Sequence, residues 1–126
     1  MKTKLFDQHS EHSEWMKNLE FYSVEMKIMQ KRLDEVAKAS PSKETLQQIE
    51  HFQNQIFIQV GHAAELSHQI KGEEKVLQEK IGENVAASDK LSAEDHAEER
   101  EKVLAFEKIV NDLRKEFNSF LSLQHK

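Results

Sequence analysis

The stretch WMKNLEFYSVEMKIMQKRLDEV, residues 15–36, decides the fold. Its large apolar residues Trp15, Leu19, Tyr22, Met26, Met29, Leu33 and Val36 alternate in steps of four and three. That spacing puts them in one line along a helix, the heptad seam that a neighbouring helix covers. The seam runs its whole length without interruption.

The same rhythm returns near the C-terminus in Val103, Phe106, Val110, Leu113, Phe117 and Phe120. Between the two lies a broader pattern. Leu46, Ile49, Gln53, Ile56, Val60, Ala63, Ser67 and Ile70 form its seam, with Phe52, Phe57, Ala64 and Leu66 at the flanks. A wide apolar arc suits the middle helix of three, which touches both neighbours.

Punctuation between the segments is sparse. The single proline, Pro41, follows Ser40, an N-cap residue followed by a first-turn proline, so a helix is expected to start there and the preceding one to end near residue 39. The second break falls in residues 82–92. There Ser92, with Asp95 three residues on, resembles a capping box and places the third helix start at Ala93. The expected helices are about 10–39, 41–81 and 93–123, in one domain spanning 1–126. Gly61 and Gly72 lie inside the second, and a kink or break would fall at Gly72. The expected fold is all-α, an antiparallel up-down-up bundle of three long helices with coiled-coil-like packing.

Composition agrees and narrows the function. The chain has 126 residues with only 3 Gly and 1 Pro, too few turn-formers for a sandwich or barrel. It has no cysteine, so disulfides, thiolate zinc sites and a cysteine nucleophile are out. A net charge of −5 argues against nucleic acid as a partner and against an anionic membrane surface. The N-terminal lysines are not followed by an apolar stretch of signal-peptide type, and no run is long enough for membrane insertion. The expectation is therefore a cytoplasmic protein. No glycine-rich phosphate loop and no Gly-x-Ser-x-Gly turn occurs, which favours a non-enzymatic role.

Two constellations stand out. The first is a second apolar stripe on the first helix, Phe21, Val24 and Ile28, lying opposite the main seam. It is an interface candidate for a second copy of the chain or for another helical protein. Scattered surface hydrophobics are the competing explanation.

The second constellation is the set of 7 histidines. Imidazole is a common ligand for divalent transition metals such as iron, zinc and copper, and helical bundles combine His with Glu from facing helices. His9 and His12 share a face, as do His96 and Glu99, which fall on the third seam. His62, Glu65 and His68 fan over one side of the second helix. Glu65-x-x-His68 has the form found in di-iron bundles, which carry two such motifs, and a homodimer would supply the second by symmetry. Folding the first helix back about Ser40 sets His12 level with residue 69. Folding the third back about residue 87 sets residue 68 level with residue 106. The expected metal set is His12, His68 and Glu107, with Glu65 and His96 competing for a fourth position. Surface placement or structural hydrogen bonding of the histidines is the alternative.

Overall fold

A computed structural model describes the backbone of residues 2–81 and 86–124 and the side chains of residues 5–80 and 94–124. The described chain is all-α: α1 is Lys2–Lys38, α2 is Lys43–Ile81 and α3 is Ala86–Gln124. The helices pack against one another as an up-down-up bundle, with α1 and α3 parallel and α2 antiparallel to both.

The seams on α1 and α3 form the core. Trp15, Leu19, Met26, Met29 and Leu33 are buried, with Tyr22 and Val36 packed at the edge. All six seam residues from Val103 to Phe120 are buried. The α2 seam differs from its expected course. Ile49, Ile56, Ala63 and Ile70 point inward, but the second column is Phe52, Gln59 and Leu66, while Leu46, Gln53 and Val60 are exposed. Both columns alternate by three and four with the shared one, so spacing fits either. Phe52 selects the inner column by packing edge-on against Phe117, with centroids 5.3 Å apart, and on Phe120 at 5.1 Å.

The helix boundaries also differ from expectation. α1 starts at Lys2 rather than near residue 10. Ser40 is not an N-cap: its φ of 53° is the left-handed turn that ends α1, after Ala39 N–H closes on the Val36 carbonyl at 3.1 Å. The cap of α2 is Ser42, whose Oγ accepts the Thr45 N–H at 3.2 Å. α2 continues unbroken through Gly61 and Gly72, where an added Cβ would meet nothing within 4 Å. α3 begins at Ala86, seven residues before Ala93, so Ser92 lies inside the helix rather than at its start. No glycine or proline follows Gly82 to stop it. Residues 82–85 of the expected break lie outside the described residues.

Among the described residues no helix is long and apolar enough to cross a membrane.

Candidate functional site

At the end of the bundle that holds the α1 N-terminus, the core changes character. Continuing each seam by its own rhythm leads from Trp15 to His12 and Gln8, from Val103 to Glu99 and His96, and from Ile70 to Glu73 and Leu77. Of these six positions all but Leu77 are polar, whereas the seams elsewhere are almost entirely apolar. His12, His96 and Glu99 are 4%, 5% and 3% exposed. Buried polar groups need partners, and those left without them are costly.

The partners come from the rim. His12 Nδ1 lies 2.7 Å from Glu74 Oε1, and His9 Nδ1 lies 2.6 Å from Glu74 Oε2. Burial alone would push the Glu74 carboxyl up, but hydrogen bonds from Gln78, His12 and His9 outweigh it and hold the carboxyl below its ordinary range. On the opposite wall, His96 Nε2 lies 2.9 Å from Glu11 Oε1. Arg100 grips the same carboxylate through Nε at 2.9 Å and a terminal nitrogen at 2.6 Å. The Arg100 hydrogen bonds, with help from His96 and against burial, lower Glu11 to about 2. Desolvation lowers the His96 pKa, opposed by Glu11.

Each imidazole is thus held by a carboxylate through one nitrogen, and the other nitrogen is left over. His12 Nε2, His96 Nδ1 and Glu99 Oε1 have no hydrogen-bond partner. The two rings sit 5.1 Å apart. Glu73 completes the group, its Oε2 3.8 Å from His12 Nε2, too far for a hydrogen bond. Burial, and then the facing Glu99 and Asp95 carboxylates, raise Glu73 to about 7. A cavity of about 390 Å³ opens on this group, lined by Gln8, His12, Glu73, His96, Glu99 and Lys102 among others.

The expected metal set is only partly assembled. His12 and His96 meet. Glu65 and His68 lie exposed on α2. Glu107 is half-buried further along the bundle, its Oε2 3.5 Å from Asn18 Nδ2. Among the described residues, no three His, Asp or Glu side chains are gathered as a metal ion requires. Spacing alone does not single out Glu11, Glu73 and Glu74, which orient or face the histidines. The signal for Glu73 is its place three residues beyond Ile70 on the inner column.

The interface candidate stands on the outer face of α1. Phe21, Val24 and Ile28 are 56%, 49% and 54% exposed, in register and pointing away from the core.

No protein-family model, no curated protein and no solved structure matches this chain.

Proposed function

We propose that this protein is a non-enzymatic, cytoplasmic interaction protein that works by presenting helix faces and self-associates through α1. The observation that carries the reading is the half-exposed row Phe21, Val24 and Ile28 on the helix face opposite the core. An isolated exposed apolar residue is ordinary, but three in helical register form a stripe. Completing their burial contributes roughly 1 kcal/mol per side chain. That is modest against the entropy cost of association, so the pair is weak and concentration-dependent. Light scattering across a concentration series tests it. Dimer mass that falls to monomer in Phe21→Glu supports the reading. Monomer at every concentration removes self-association and leaves another helical protein as the occupant.

A second reading takes the polar end as a site for a divalent transition metal. Its support is the pair of imidazoles braced from behind by Glu74 and Glu11, each with an unpartnered nitrogen, lining one cavity with Glu73 and Glu99, an arrangement common around metal-ligating histidines. A metal would have to draw these side chains inward, since they are not gathered around one point. Thermal shifts with zinc, iron and copper, compared with His12→Ala and His96→Ala, decide it. Equal melting temperatures with and without each metal remove this reading.

A further inference from the structure

The outer face of α1 carries more than its apolar stripe. Extending the three-four rhythm of Phe21, Val24 and Ile28 along the helix gives Glu14, Lys17, Phe21, Val24, Ile28, Lys31 and Glu35, every one exposed. Beside this line lie Glu20 and Lys27, also exposed. The apolar centre is thus bracketed by charges of both signs, and their order discriminates between the ways two copies can meet.

We infer that two copies pair antiparallel along this face, with the two-fold axis passing between Tyr22 and Ser23, so that Phe21 of each copy packs on Val24 of the other and Glu14 meets Lys31. The inference rests on the self-association proposed above and adds its orientation and register.

A parallel pair is disfavoured by charge. It would set Glu14, Lys17, Lys31 and Glu35 each against its own copy, four like-charge layers along one seam. In an antiparallel pair, each position of the seam faces the complementary position of the other helix, and Glu20 and Lys27 face residues on the same flank of the second copy. With the axis between Tyr22 and Ser23, Glu20 faces Lys27 on both sides, Glu14 faces Lys31, and Ile28 lies on the aliphatic stem of Lys17. No like charges meet. Sliding by one heptad toward the C-terminus sets Lys27 against its own copy and Glu20 against Asp34. Sliding by one heptad the other way sets Glu20 against itself and moves Phe21 onto Lys17, away from Val24. Each exposed ion pair is worth little alone. Their effect here is selective, because the competing registers carry repulsion as well as lost apolar contact.

The chain has no cysteine of its own, so engineered disulfides read the register directly. Glu14→Cys with Lys31→Cys in one chain leaves the apolar centre intact, and the two positions are too far apart on one helix to bridge within a copy. Under mild oxidation this variant is expected to become a covalent dimer on a non-reducing gel. Glu14→Cys with Lys38→Cys, which matches the register one heptad away, is expected to stay uncrosslinked. Light scattering of the unmodified protein is run alongside. If that protein dimerises but the 14/38 variant crosslinks instead, or neither variant does, the register is overturned while self-association stands. If the unmodified protein is a monomer throughout, the underlying reading fails and this inference with it. A charge test is independent of cysteine chemistry: Glu20→Lys should weaken the dimer severalfold, and adding Lys27→Glu should restore it. Failure of that restoration also counts against the register.

Discussion

The imidazole of His96 lies almost parallel to the indole of Trp15, with ring centroids 4.8 Å apart and planes 23° from coincidence. This stack is the border between the apolar core and the polar end of the bundle. On one side are Leu19 and Phe106; on the other are Glu11, Glu73 and Glu99.

Trp15 is the only tryptophan, and two imidazoles touch it, His96 stacked at 4.8 Å and His12 tilted at 5.6 Å, so its fluorescence reports on both rings. Protonating the ring turns a neutral stacking partner into a cation against the indole face. Burial lowers the His96 pKa, so the emission should change with a midpoint below the ordinary histidine value near 6.5. In His96→Gln that component should vanish, and the same titration in His12→Gln separates whatever the second ring contributes. A titration that persists unchanged in that variant would separate the stack from the fluorescence.

Stability should depend on pH through Glu73. Its folded-state carboxyl titrates near 7, above its ordinary 4.5, so the folded protein holds the proton more tightly than the unfolded chain does. That contribution is fully present below pH 4.5 and is lost as pH rises through 7. The depressed His96 works in the opposite sense, contributing above pH 6.5 and losing it as pH falls. Lys102 and His12 face Glu73 along with Glu99 and Asp95. Glu73→Gln removes the first effect and leaves the second. Urea midpoints at pH 5 and pH 8 should therefore show the variant gaining on the unmodified protein as pH rises. Parallel pH profiles for the two would contradict the assignment.

The connection between α1 and α2 gives two opposite substitutions. Ser42 caps α2 through Thr45 N–H, and Ser42→Ala should cost about 1 kcal/mol. Ser40 occupies a left-handed conformation that costs a side-chain-bearing residue roughly 1 kcal/mol, so Ser40→Gly should be neutral to stabilising despite the added freedom of the unfolded chain. Thermal unfolding that ranks the two the other way would refute this account of the turn.

Gly61 sits on the exposed side of an unbroken helix with open space around its α-carbon. Gly61→Ala should raise stability by about 1 kcal/mol. A loss on denaturant unfolding would show that the glycine has a packing role not visible in these contacts.

The fold was legible because the seams of α1 and α3 repeat without ambiguity from Trp15 to Val36 and from Val103 to Phe120. α2 was harder to read. Ile56 has apolar or neutral residues on both flanks, and spacing alone assigns Gln53 and Val60 as readily as Phe52 and Gln59. The level at which His12 meets its neighbours departs from the expected one for two reasons. Side chains tilt toward the N-terminus of their own helix, so in an antiparallel pair His12 reaches Glu73 and Glu74, about a turn beyond residue 69. In addition, α3 begins at Ala86, which brings His96 level with His12 and moves Glu107 up to Asn18.

The order of residues by itself determined three amphipathic helices, their up-down-up course and the second stripe on α1, because hydrophobic periodicity is local and needs no knowledge of a neighbour. Only the tertiary structure decided that His12, His96, Glu73 and Glu99 share one cavity and that Glu65 and His68 lie outside it. Which polar side chains meet depends on the axial offset between helices, and a shift of a single turn exchanges one set of partners for another.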